Sequence, residues 1–175
     1  MDKPIPNLHF RFMTLVFKVR DFFIPRKNIC LKEVEIKPGH HVLDFGCGPG
    51  SYIIPTTELI DPRGKVYALD IHPLAIKSVK SLILKNKLTN LETIPSDCNT
   101  GLLDESIDVV LLYDTFHMLG DPEGVLKELH RVLKPEGILS FSDHHMREKE
   151  ILSGVTQSGL FRLLRRGKRT FTFAK

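Results

Sequence analysis

Apolar positions along this chain follow two rhythms. Short near-continuous apolar runs fall at His41–Phe45 (HVLDF), Lys65–Asp70 (KVYALD), Leu91–Pro95 (LETIP), Ile107–Asp114 (IDVVLLYD) and Gly137–Asp143 (GILSFSD). Runs of that length, rich in β-branched residues and leucine, predict strands buried on both faces of a parallel sheet. Between them the apolar spacing changes to three and four. Ala75, Ile76, Val79, Leu82 and Ile83 share one helical face after Pro73, and Val125, Leu126, Leu129, Val132 and Leu133 share another. Asp121 reads as the N-cap of the second of these helices and Pro122 as its first residue, with Lys134-Pro135-Glu136-Gly137 ending it. A further helix is expected from about Arg147 to Gln157, followed by a hairpin in LFRLLRRGKRTFTFAK with its turn at Arg166-Gly167. Strand and helix in alternation predict a doubly wound α/β sheet, and the hairpin adds two strands, one of them antiparallel. Ahead of this pattern, His9 to Phe23 reads as a separate helix. Its stripe of Phe12, Leu15, Val16, Val19, Phe22 and Phe23, broadened by Met13 and Phe17, is expected to be buried, and Pro25 to stop it.

Composition narrows the class only a little. At 175 residues the chain can hold one α/β domain and is too short for two. Lys plus Arg number 25 against 21 Asp plus Glu, a net charge of +4. That balance permits an anionic partner without demanding one, and the basic run RLLRRGKR reads as a solvated hairpin tip. Three cysteines at wide spacing, Cys30, Cys47 and Cys98, make neither a disulfide framework nor a zinc pattern and suit a reducing cytoplasm. No leader peptide is expected from MDKPIPNLHFRF, and no run reaches the roughly 20 apolar residues of a spanning helix.

The chemistry concentrates at VLDFGCGPGS, Val42 to Ser51. A strand ends in an acid, and a turn with three glycines then leads to a helix. A ligand is therefore expected at the carboxyl end of the sheet, beside a helix N-terminus. A phosphate loop would need a Gly-Lys-Ser/Thr ending, which is missing. A dinucleotide fingerprint would need glycines at 46, 48 and 51, whereas the chain has them at 46, 48 and 50, with Ser51 next. Asp44 would sit poorly beside a pyrophosphate and suits a ligand carrying positive charge.

Asp44-Phe-Gly46-Cys47-Gly48-Pro-Gly50 resembles the acid-x-Gly-x-Gly-x-Gly motif of class I S-adenosylmethionine-dependent methyltransferases. The resemblance extends over about residues 35 to 175 and implies a Rossmann-like, mostly parallel seven-stranded sheet with a C-terminal antiparallel hairpin. It also implies S-adenosyl-L-methionine as cofactor, with S-adenosyl-L-homocysteine as product. Asp70, about 24 residues past the first glycine, falls where the family places the acid that accepts from the ribose hydroxyls. Ile71 would then lie against the adenine, Asp97 would accept from the adenine amino group, and the Cys98 backbone N–H would serve a ring nitrogen. LHRVLKPEGILSFSD is also similar to the family's sequence before and along the fifth strand. Among members of the family, the pattern is most similar to the branch of ubiquinone and menaquinone methyltransferases.

The acceptor is approached through what is missing. The chain has YDTFHML after its fourth strand, without the Pro-Pro motif of enzymes acting on exocyclic amines of nucleic acid, and it has no Pro-Cys dipeptide of 5-methylcytosine enzymes. Residues 1–30 are expected to form a helical lid over residues 31–175, the methyltransferase domain, and an aromatic-rich lid suggests a small, apolar or aromatic acceptor. Candidates for a base are Asp114 and His117 after the fourth strand and Asp143, His144 and His145 after the fifth. Side chains of neighbours on an extended chain point opposite ways, so His144 and His145 are not expected to share an ion, and no metal is expected. His72-Pro73 reads as the cap of the helix that follows. Packing on the domain is expected of the N-terminal helix. Its basic residues Arg11, Lys18 and Arg20, with Arg26 and Lys27 beyond it, offer a membrane surface as the alternative. The assembly is expected to be a monomer or homodimer. The competing functions are a nucleic-acid methyltransferase acting through the basic hairpin and a non-catalytic cofactor-binding module.

Overall fold

A computed structural model of the chain describes residues 4–23 and 31–175. The predicted stop at Pro25, Cys30, and the side chains of Phe17, Phe22 and Phe23 lie outside what is described. The elements run α1 (Asn7–Phe23), β1 (His41–Phe45), α2 (Ile53–Ile60), β2 (Lys65–Leu69), α3 (Pro73–Asn86), β3 (Leu91–Ile94), β4 (Ile107–Tyr113), α4 (Pro122–Val132), β5 (Leu133–Ser142), α5 (Glu148–Thr156), β6 (Arg162–Arg166) and β7 (Phe171–Ala174). They form one seven-stranded sheet in the order β3-β2-β1-β4-β5-β7-β6. The pairs from β3 through β5 are parallel. β7 runs antiparallel to both β5 and β6.

The expected continuous apolar strands are those buried on both faces. In β1 and β4, side chains alternate between two cores. Leu43, Phe45, Val110 and Leu112 meet Leu126 and Leu129 of α4 and Ile151 and Val155 of α5. Val42, Val109 and Leu111 meet Ile53 and Ile60 of α2 and Val79 of α3. Each such side chain contributes roughly 1.5–3 kcal/mol by leaving water. The caps form as the residue types dictate. The Asp121 carboxylate accepts from the Gly124 N–H at 2.9 Å with Pro122 at the first helical position, and His72 Nδ1 accepts from the Leu74 N–H at 3.1 Å with Pro73 next.

Two expectations change. Lys134-Pro135-Glu136-Gly137 is not a loop between α4 and β5 but a bulge within the strand: Leu133 already pairs with Ile107, and pairing resumes at Ile138 with Val109. Lys134 Nζ pins the bulge to Asp108 Oδ1 at 2.7 Å. A Cβ at Gly137 would stand 3.0 Å from the Ile107 and Lys134 carbonyl oxygens, a backbone crowding that glycine avoids. The second correction concerns α1. Phe12 (69 % exposed), Leu15, Val16 and Val19 face away from the domain, while Phe10, on the opposite side of the helix, is buried.

Candidate active site

Strand order reverses between β1 and β4, so the carboxyl ends of these strands open a crevice. The glycine turn closes one side of it. Leu69 O at the end of β2 accepts from both the Gly46 and Cys47 N–H groups, at 2.8 and 2.9 Å, which fixes the turn against its neighbour strand. Asp70 then clamps the middle of the turn. Its Oδ2 accepts from the Gly48 N–H at 2.8 Å and its Oδ1 from the His72 N–H at 2.7 Å. The glycines all have positive φ but serve different contacts. A Cβ on Gly46 would run into the Thr115 side chain, reaching its Cγ2 at 2.6 Å. A Cβ on Gly50 would lie 2.8 Å from Leu82 Cδ1 of α3. Gly48 has nothing within 4 Å of that position and borders the crevice. Gly46 thus lets the turn pack against Thr115, and Gly48 is the glycine whose open side faces the crevice.

Asp44 and Asp70 are both buried beside this turn. Asp44 Oδ2 has no hydrogen-bond partner among the described residues. Burial first, then the nearby Asp70 carboxylate, push the Asp44 carboxyl up to about 7. Burial likewise raises Asp70, against the pull of the His72 and Gly48 N–H groups and the neighbouring His72 side chain. Two buried acids, one with an unsatisfied oxygen, are costly by themselves and complement a cationic ligand. The Cys47 thiol is buried and held well above its usual range, first by burial and then by Asp44 and Asp70, so it stays protonated and is no nucleophile.

The crevice spans about 830 Å³, part of it open to solvent. Asp44, Gly46, Cys47, Gly48, Asp70, Ile71 and Asp114 all line it, as does Thr115. Its other wall is apolar: Pro4, Ile5, Phe10 and Met13 of the N-terminal segment contribute to it, with Tyr52, Tyr113 and Met118. His72 joins the two halves. Its ring stacks on Phe10 with centroids 4.2 Å apart. Because Nδ1 accepts the cap bond, Nε2 carries the proton and donates to Ile5 O at 3.0 Å. Sequence reading gave His72 only its cap. The contact to Ile5, 67 residues earlier, has no local signal.

Beyond Asp114 stand two carboxylate–imidazole pairs. His144 Nδ1 lies 2.7 Å from Asp114 Oδ1, which also accepts the His144 N–H. His117 Nδ1 lies 2.8 Å from the buried Asp143 Oδ2. The His145 ring sits between the others, with centroids 3.9 Å from His144 and 4.3 Å from His117. The chain turns at residues 144–146, so these neighbouring rings meet in tilted contact and do not point apart as an extended chain would make them. Among the described residues no group is arranged to hold a metal ion. Asp114 itself adopts φ 50°, a left-handed conformation that a non-glycine residue holds at some cost. Gly50, Asp97, Cys98, His117, His144 and His145 do not line the crevice; Asp97 is exposed and Cys98 half-buried. Two of the hairpin arginines are engaged with acids, Arg165 with Glu35 at 3.0 Å and Arg166 with Glu148 at 2.5 Å. The Glu33 carboxylate accepts from the Lys168, Arg169 and Thr170 N–H groups at the hairpin tip.

Residues 36–166 match the profile of a methyltransferase-domain family. Over 133 residues the chain is 30% identical to a demethylmenaquinone methyltransferase of Geobacillus stearothermophilus, covering 75% of this chain and 56% of that protein. It is 29% identical over 107 residues to an arsenite methyltransferase of Halobacterium salinarum, covering 61% of this chain and 27% of that one. The chain thus spans about half the length, or less, of these curated relatives. A crystal structure of an S-adenosylmethionine-dependent methyltransferase from Aquifex aeolicus superposes with a TM-score of 0.75 at 28% identity, over 85% of this chain and 88% of that one. With the profile match covering most of its length and the glycine turn, Asp44 and Asp70 set at the β1–β4 switch point, the chain belongs to the class I S-adenosylmethionine-dependent methyltransferases.

Proposed function

We propose that this domain transfers the methyl group of S-adenosylmethionine to a small acceptor with an apolar or aromatic body. The observation that carries this reading is a single crevice with two unlike walls. One wall has buried acids and the Gly48 turn; the other is apolar and built by Phe10, Met13 and Met118. When bound, the cofactor supplies a methyl group already activated by its sulfonium. Asp44 would pair with the cofactor's amino group through the oxygen that lacks a partner, and Asp70 would accept from the ribose on lone pairs not taken by Gly48 and His72. Ile71 would lie against the adenine, with Asp97 and the Cys98 N–H at its edge. The chain's main task is then alignment and exclusion of water, and alignment can supply several kcal/mol, up to about 7–11 in ideal cases.

A protonated acceptor needs a base. Asp114 lines the crevice and holds His144 by Nδ1, which leaves Nε2 as the basic nitrogen; Asp143 holds His117 in the same way, and His145 bridges their rings. These four residues, Asp114, His117, His144 and His145, are assigned to receive the acceptor's proton. Residues 1–30 are assigned as a lid over the acceptor end. The name of the Geobacillus relative points to a demethylated quinone as the first acceptor to try. Incubation with methyl-labelled cofactor and a panel of quinols, phenols and small amines should label an apolar aromatic acceptor, and Asp114→Asn should lower the turnover more than the cofactor affinity. Label appearing only in RNA, or in no compound while cofactor binds, would contradict the reading. The first outcome would favour the nucleic-acid alternative and the second the binding-module alternative.

A further inference from the structure

The outward face of α1 is an exposed apolar stripe that the catalytic reading does not use. Leu8, Phe12, Leu15, Val16 and Val19 are 76%, 69%, 60%, 45% and 52% exposed. They recur at i, i+4, i+7, i+8 and i+11, which on a 3.6-residue helix is one continuous stripe about 100° wide. Phe10, buried at the crevice, lies on the opposite side, and Met13, which also lines the crevice, flanks the stripe at its Val16 edge. The charge pattern follows the stripe. Positions 11 and 18, both basic, border it on one side and position 20, also basic, on the other, and Asp21 is the helix's one acid. The chain's whole excess of charge is local as well. Residues 1–30 hold six of the 25 basic residues and two of the 21 acidic ones, so this segment carries +4 while the remaining residues balance to zero.

We propose that α1 docks this domain on a lipid bilayer carrying anionic headgroups, with Phe12, Leu15, Val16 and Val19 entering the acyl boundary and the basic residues meeting the headgroups. An apolar arc flanked by lysine and arginine is the form an interfacial helix takes, lying in the membrane plane without crossing it. No helix among the described residues is long and apolar enough to cross. A second protein copy would gain from the apolar stripe but would bring the same basic border against its own, and the like charges oppose that pairing. Docking also sets the crevice beneath the lipid contact, because the inward face of the same helix forms its apolar wall. The docking reading is independent of which acceptor is methylated.

The test is flotation of the full chain with vesicles of phosphatidylcholine alone and of phosphatidylcholine mixed with phosphatidylglycerol. Wild-type protein should float with the mixed vesicles, lose that binding in high salt, and stay behind with phosphatidylcholine alone. Phe12→Asp combined with Leu15→Asp should reduce the bound fraction at least about tenfold. Arg11→Gln alone should reduce it about fivefold, the effect of one basic residue near an anionic surface. Both variants should keep the wild-type melting temperature and cofactor affinity, since none of these side chains lines the crevice. Absence of wild-type flotation with the mixed vesicles would overturn the proposal, and so would undiminished flotation of the double variant. A wild-type dimer in sedimentation that the double variant converts to monomer, without flotation of either, would assign the stripe to a second copy and also overturn it.

Discussion

The three glycines of the turn separate, at the scale of single residues, what holds the fold from what admits the ligand. Gly46→Ala forces a methyl group into Thr115 and should cost roughly 1–3 kcal/mol of stability. Gly48→Ala meets only open space and should cost about 1 kcal/mol for its positive φ, while lowering cofactor affinity at least about tenfold, or 1.4 kcal/mol. Melting curves and calorimetry on the two variants check the contrast. Asp44 gives a pH dependence whose sign is fixed. Its carboxyl is raised to about 7 in the folded domain from an ordinary 3.8. Between those values the folded chain keeps a proton that the unfolded chain has shed, so this group's contribution to stability falls as pH rises through the window and levels off above about 7. The difference in unfolding free energy between wild type and Asp44→Asn should therefore shift against wild type as pH rises to about 7, and saturating S-adenosylmethionine should cancel much of that shift. A pH-independent difference would remove the buried charge from the account. Asp44 and Asp70 were legible because their signal is local, an acid at a strand end beside a glycine turn. His72 was legible only as a cap, because its stacking on Phe10 and its bond to Ile5 join segments distant in sequence.

Among the elements, periodicity placed the strands and helices well but put the wrong face of one of them, α1, inward. α4 shows the strength of the pattern: its cap, its first proline and its buried stripe all follow from residue type. Leu129, fully buried on that stripe, should cost roughly 2–5 kcal/mol when changed to alanine, measured by denaturant unfolding. In α1 the more apolar face is the exposed one, since two residues, Phe10 and Met13, suffice to meet the crevice. Apolar periodicity marks a helix and its stripe but not what covers the stripe. Phe10→Ala should remove the stack on His72 and loosen α1, seen as faster amide exchange across Asn7–Phe23, while the exchange of β4 amides stays unchanged. Equal protection of α1 in both proteins would show that Phe10 does not anchor it. The bulge at Lys134–Gly137 was missed for a similar reason: Lys-Pro-Glu-Gly is turn chemistry, and only the pairing of Leu133 with Ile107 reveals that the strand has already begun.

For the whole molecule, alternation of strand and helix with a terminal hairpin foretold a seven-stranded, mostly parallel sheet, and the observed order places the glycine turn and Asp114 on either side of the β1–β4 crevice. The side-chain constellation at the far end, with its paired carboxylates and clustered imidazoles, was legible only as a set of candidates, because the turn at residues 144–146 decides which way they point. The central claim is that the buried acids at this crevice hold a cationic, adenosine-bearing methyl donor. Calorimetric titration of wild type and Asp44→Asn with S-adenosylmethionine and with NAD tests it most directly. The account predicts that wild type binds S-adenosylmethionine and not NAD, and that Asp44→Asn weakens the binding by roughly 1.5–3 kcal/mol, as for loss of a charged hydrogen bond. Tight binding of NAD, or equal affinity of wild type and Asp44→Asn for S-adenosylmethionine, would contradict it.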